Sequence, residues 1–168
     1  MSYDFSITGP DRVISGIGAL SQLPEALARL GVTRALLITG RTLATKTDLV
    51  ARVEETLGAS HAGTFSDCVQ HVPESSVGKA YDSAIDTYAD VLVVFGGGSP
   101  IDTAKLVVKK LVDAGRAAVP QVAIPTTLSA GEFTHAAGVT NEETRIKHVH
   151  VDAVMQPEVI LYDPELTR

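Results

Sequence analysis

With 168 residues, 45% of them hydrophobic and 20% charged, the chain is long enough for one domain with a sizeable core and ordinary in composition for a globular protein. A formal net charge of -6 argues against nucleic acid or an anionic membrane as the main partner, and no apolar run reaches the roughly 18 residues of a membrane span. The N-terminus has no basic, apolar leader pattern and Cys68 is the single cysteine, so a cytoplasmic protein with no internal disulfide and no cysteine metal cage is expected.

Residues 1–15 read as a short extended lead-in with Arg12-Val13-Ile14 at its core. Gly16-Ile17-Gly18-Ala19 follows, then a helix from about Leu20 to Leu30 that Gly31 ends. A dinucleotide fingerprint is a poor fit here. Ser21 stands where the third glycine belongs, and no acid ends the next strand. A plain turn into a helix is the expectation. Ala35-Leu36-Leu37-Ile38-Thr39 is an apolar strand ending at Gly40-Arg41-Thr42, before a helix from about Ala44 to Leu57. An acid at such a strand tip would bind the adenosine ribose hydroxyls and repel a 2′-phosphate. Gly40 leaves that place open, and Arg41 either pairs with the phosphate or is an exposed turn arginine.

His61 to Phe65 is a third, shorter strand. The His71-Val72-Pro73 loop precedes a helix from about Glu74 to Tyr88, with Ala80, Ala84 and Tyr88 on one face. Val91-Leu92-Val93-Val94-Phe95 has the continuous apolar character of a parallel strand covered on both faces. Gly96-Gly97-Gly98 then lets a ligand approach the backbone closely, Ser99 is placed to cap a helix, and Pro100 suits its first position. Ile101, Ala104, Val108 and Leu111 recur at helical spacing toward about Ala114. The free N–H groups at that helix start suit an anion, most simply a phosphate.

Gln121 to Ile124 is a further strand, ending in Pro125-Thr126-Thr127. The two hydroxyls either bond a phosphate or a ribose, or form a turn. Phe133–Thr140 and Ile146–Val151 read as a hairpin across Asn141-Glu142-Glu143-Thr144, and Val159-Ile160-Leu161-Tyr162 is the last strand, ending at Asp163-Pro164. Alternating strands and helices imply one α/β domain over residues 1–168, a Rossmann-like parallel sheet with helices on both faces and a C-terminal β-hairpin extension.

With these residues in view, the chain resembles the N-terminal domain of the iron-containing, group III alcohol dehydrogenases. The match rests on Gly96 to Lys105 and Ile124-Pro125-Thr126-Thr127, supported by Gly138-Val139-Thr140, Lys147 and Ile160 to Pro164. His71-Val72-Pro73 looks more like the equivalent loop of maleylacetate reductases, a related branch. The resemblance implies NAD or NADP as cofactor. Gly97, Gly98 and Ser99 would hold its pyrophosphate, and Asp102 would sit one turn into the helix nearby. Thr126 and Thr127 would contact phosphate and nicotinamide ribose, Lys147 would reach back from the hairpin, and Tyr162 would lie near the adenine side. Gly40 stands where many members carry an aspartate that favours NAD. The family's metal, Fe2+ or Zn2+ in a complete two-domain enzyme, would be held by an aspartate and histidines of a helical half. That half is expected to be absent here, which implies a truncated domain that self-associates and turns nothing over alone.

His148 and His150 alternate on a strand but lack an obvious third ligand, and the context of Glu132 and His135 argues against a helical zinc motif. Three functional readings follow. The first is the nucleotide-binding half of a metal-dependent oxidoreductase. The second is a stand-alone nucleotide-binding module. The third is a dehydroquinate-synthase-like lyase, which shares a similar Pro-Thr-Thr strand tip.

Overall fold

The computed structural model describes residues 9–167, and residues 1–8 of the expected lead-in fall outside it. Among the described residues eight strands form: β1 (Arg12–Ser15), β2 (Ala35–Gly40), β3 (His61–Cys68), β4 (Val91–Gly96), β5 (Gln121–Pro125), β6 (Ala136–Thr140), β7 (Lys147–Val151) and β8 (Val159–Tyr162). Five helices join them: α1 (Leu23–Leu30), α2 (Arg41–Lys46), α3 (Leu49–Leu57), α4 (Glu74–Asp86) and α5 (Gly98–Asp113). Six strands make one parallel sheet in the order β1-β8-β5-β4-β2-β3, and β6 and β7 pair antiparallel beside it.

The pleat explains why β2 and β4 are apolar throughout. Leu36, Ile38, Leu92 and Val94 point to one face, where α4, α5 and the hairpin residues Ala137 and Val139 cover them. Ala35, Leu37, Val91, Val93 and Phe95 point to the other, against α1 and α3. Residues of opposite parity are thus buried on opposite faces, as in a doubly covered sheet. The chain leaves β2 outward to β3, then returns to lay β4 on the other side of β2. The carboxyl ends of β2 and β4 therefore flank the point where the winding direction reverses, and α2 and α5 depart there to opposite faces.

Four local expectations are corrected. Ser99 is not the cap of α5: Gly97, extended at φ -85 and ψ -159, is the cap, and Gly98 is already helical. Pro100 therefore sits in the third helical position, where a missing N–H still costs no helical bond. The helix expected over 44–57 is two helices, broken where Thr47 is extended at φ -136. Its hydroxyl takes over as a local bridge, donating to the Leu43 carbonyl and accepting from the Leu49 N–H. Tyr88 does not share the buried face of Ala80 and Ala84. The helix has ended, the backbone turns left-handed at φ 51, and the ring lies exposed near the Arg34 guanidinium. Finally, the strand expected from Phe133 begins only at Ala136, and Phe133 instead closes a 3-10 turn over Gly131–Phe133. The buried Lys105 ammonium draws in the carbonyls of Gly131 and Thr134, together with that of Ala136 at the head of β6, so the chain curls around it before the ladder begins.

Candidate functional site

The reversal point is a cleft of about 630 Å³. Gly40, Arg41 and Thr42 form one side, Gly96 to Pro100 the floor, and Thr126 and Thr127 the other side. The floor has this shape because Gly96 takes φ +149 and packs directly on the Pro100 ring, where a Cβ would come within 2.8 Å of it. A Cβ on Gly97 would meet the Thr127 side chain at 3.1 Å, so the β4 and β5 tips touch here. Gly98 differs, since its nearest neighbour would be Ser129 at 3.8 Å. No side chain caps α5, and among the described residues nothing accepts from the N–H groups of Gly97, Gly98 or Ser99. Unclaimed N–H groups, a helix dipole and an uncovered glycine fit a phosphate group. Of the residues singled out in the sequence, this cleft brings together Gly40, Arg41, Gly97, Gly98, Ser99, Thr126 and Thr127.

Asp102 and Lys147 meet beside it. The Asp102 carboxylate accepts from the Gly138 N–H at 3.2 Å, and the Lys147 stem lies over the Gly138 Cα, where any Cβ would collide with it. Burial raises the Asp102 pKa, opposed by that N–H and by Lys105 and Lys147. Tyr162 is not in the cleft lining, and it lies on β8, with β5 and β4 between it and the β2 tip that carries Gly40. Its hydroxyl donates to Glu132, its ring stacks on Phe133 at 6.3 Å, and burial followed by the Glu132 bond pushes its pKa up. Arg41 points at Asp67, which accepts from Nη2 at 2.8 Å and from Nε at 3.2 Å.

Three residues carry the architecture in roles that the sequence reading did not give them. Lys105 is wholly buried as the clamp of the 131–136 loop, and burial pulls its pKa down to about 8. Glu132 is buried beside it, with one carboxylate oxygen unpartnered among the described residues. Asp163 accepts from the Gly18 and Leu20 N–H groups at 3.2 and 3.1 Å and so fills the first glycine turn. A charged residue inside an apolar helix face was the available signal for Lys105. The other two have none, because their partners lie 30 and 145 residues away. Cys68 is a poor nucleophile, its pKa pushed up to about 12 by burial. His148 and His150 share a strand face, but among the described residues no three His, Cys, Asp or Glu side chains gather where a metal could sit.

A sequence profile of the iron-containing alcohol dehydrogenases matches residues 10–164. The chain belongs to this family. Members are oxidoreductases that use NAD(P) and iron. Among curated members, maleylacetate reductase 2 of Cupriavidus pinatubonensis is 37% identical over 155 residues, covering 92% of this chain and 40% of that protein. Maleylacetate reductase of Pseudomonas aeruginosa is 37% identical over 156 residues. The chain thus spans about two fifths of the length of these relatives. The crystal structure of maleylacetate reductase from Agrobacterium tumefaciens superposes with a TM-score of 0.86 at 28% identity, covering 99% of this chain and 45% of that one. Sulfoacetaldehyde reductase of Bifidobacterium kashiwanohense, solved in complex with NAD+, has the same fold at a TM-score of 0.87 and 20% identity, over 99% of this chain and 48% of that one. These curated relatives are maleylacetate reductases, the branch to which the His71-Val72-Pro73 loop was likened. That loop is unusual here: His71 and Val72 are both left-handed, and Thr140 holds their carbonyls through its hydroxyl and its N–H.

Proposed function

We propose that the chain is the nicotinamide-dinucleotide-binding half of a metal-dependent oxidoreductase. The observation that carries this reading is the unclaimed set of N–H groups at Gly97, Gly98 and Ser99, placed where the sheet reverses. Those groups would hold the pyrophosphate, with the Thr126 and Thr127 hydroxyls on one side and Gly40 and Arg41 on the other. Asp102 and Lys147 would set the charge at the inner edge. Tyr162 acts through Glu132, fixing the loop behind the threonines. The nicotinamide supplies the hydride chemistry when bound, and the protein orients it and keeps water away.

Among the described residues no three His, Cys, Asp or Glu side chains gather to hold a metal, and in this reading the ligands would come from a helical half. The chain alone therefore binds cofactor and does not turn over. Alcohols near neutral pH stay protonated unless a metal lowers their pKa. Exposed apolar side chains, Leu128, Val149 and Val151 among them, favour contact with a second copy or with a helical domain.

Fluorescence titration with NADH and NADPH tests binding, with dissociation constants in the micromolar to millimolar range expected. An assay with Fe2+ or Zn2+, NAD(P)(H), short alcohols and aldehydes, and maleylacetate tests turnover. No turnover is expected from the chain alone. Metal-dependent rates typical of an enzyme would overturn the half-site reading.

A further inference from the structure

Lys105 is buried outside the lining of the cofactor cleft. It leaves α5 two turns past the glycine turn and reaches the stretch that follows Thr127. Its ammonium donates to the carbonyls of Gly131 and Thr134, to the Thr134 hydroxyl at 3.0 Å, and to the Ala136 carbonyl at 3.0 Å. One turn back on the same helix, Asp102 accepts from the Gly138 N–H. A cation and an anion of α5 thus hold residues 131–138 in place. At its start, the same stretch sets Thr127 beside Gly97 and Ser129 beside Gly98. After Gly138 it continues through the hairpin to Lys147. The β2 tip, with Gly40 and Arg41, belongs to other elements, and no Lys105 hydrogen bond reaches it among the described residues. In a dinucleotide fold the adenosine ribose lies at the β2 end of the cleft. The β5 end, with Thr126 and Thr127, therefore faces the nicotinamide half.

We infer that Lys105 is a positioning residue for the nicotinamide half of the cofactor, and that it acts as an ammonium, so that cofactor binding and protonation of Lys105 are coupled. The proposal rests on the dinucleotide reading above and extends it. An ammonium has a proton for each of the three carbonyls. A neutral amine has two, and turns a lone pair toward the third. Loss of the proton therefore loosens residues 131–136, and with them the wall that Thr127 and Ser129 make beside the glycine turn. Burial pulls the Lys105 pKa down to about 8, opposed by the carboxylates of Asp102 and Glu132. Those two are the charged groups that bear on it. The strands β2, β4, β5 and β6, which pack on α5, carry no charged side chain, and no charge of α4 or β3 acts on it. Tyr162 of β8 reaches Glu132 instead. Coupling is reciprocal, so a ligand that needs the ordered wall takes up protons near pH 8 as it binds.

The test is calorimetric titration of the chain with NADH, and with ADP as the probe of the adenine half, at about pH 7 and about pH 9.5. In the unaltered chain NADH should bind about 10-fold more weakly at the higher pH, while ADP changes by less than about twofold. In buffers of different ionisation enthalpy near pH 8, NADH binding should take up about 0.4 proton, as a tenfold coupling requires, and ADP binding none. Lys105→Met keeps the stem and removes the charge. It should weaken NADH about 10-fold at the lower pH, leave ADP unchanged, and abolish both the pH dependence and the proton uptake. Equal effects on NADH and ADP in this variant overturn the inference and leave the dinucleotide reading intact. So does NADH affinity in the unaltered chain that is constant within about twofold across this range, without proton uptake. If Lys105→Met does not fold, the two measurements on the unaltered chain decide. Failure of the unaltered chain to bind NADH overturns both readings.

Discussion

The molecule contains two glycine turns that lead from a parallel strand into a helix, and they have opposite fates. After β1, Gly16 to Leu20 turns toward α1, and the Asp163 carboxylate occupies the turn's N–H groups. After β4, Gly96 to Pro100 turns into α5, and the N–H groups of Gly97, Gly98 and Ser99 are unclaimed among the described residues. The first carries its own anion as a structural plug. The second is free for an anion from outside. Glycine and a following helix are common to both, so the difference is made by what the rest of the chain brings to the turn. An anion site at a helix start needs donors that nothing internal has satisfied.

The largest expected effect comes from unplugging the first turn. Asp163 is 2% exposed and also accepts from the Glu165 N–H. Asp163→Ala leaves the buried Leu20 N–H and the partly buried Gly18 and Glu165 N–H groups without their acceptor and should cost about 1–3 kcal/mol in urea unfolding. A loss below about 0.5 kcal/mol would show that water serves the turn as well as the carboxylate does.

Blocking the second turn is next in size. Because Gly98 has room for a side chain within the protein, Gly98→Val should remain folded and bury the phosphate approach. Binding of NAD(H) and NADP(H) should weaken about 50-fold or more by calorimetry. Unchanged affinity in a folded variant sinks the site.

The β2 tip refines the comparison further. Gly40→Asp restores an acid near the ribose and should weaken NADP(H) about 10-fold more than NAD(H). Equal losses for the two cofactors would place Gly40 away from the ribose. The smallest effect belongs to Ser21→Gly, which completes three glycines in the first turn. It removes only the Ser21 hydroxyl bond to the Gly18 carbonyl, so stability should change by less than about 1 kcal/mol. No dinucleotide binding should appear there, as measured on the Gly98→Val background, because Asp163 still fills the turn.

Much of this was written locally. The continuous apolar run of β4 and the period of Ile101, Ala104 and Val108 determine a covered parallel strand and the buried face of α5, since burial pattern follows directly from backbone periodicity. Three consecutive glycines determine where a ligand can approach the backbone. Helix limits were less legible. Gly97 rather than Ser99 caps α5, because the geometry of the preceding turn, and not the hydroxyl's propensity, chose the starting residue.

Tertiary structure alone decided which charges meet. Asp163 reaches Gly18 across 145 residues, Arg41 finds Asp67 across 26, and Lys105 gathers carbonyls 26 to 31 residues away. Such pairings have no period and no spacing, because they depend on which strand tips the sheet order places side by side. Residue types by themselves determined that this chain has a glycine turn at a helix start. Only the folded sheet decided that one such turn is plugged from within, while the other opens into a cleft lined by Arg41 and Thr127.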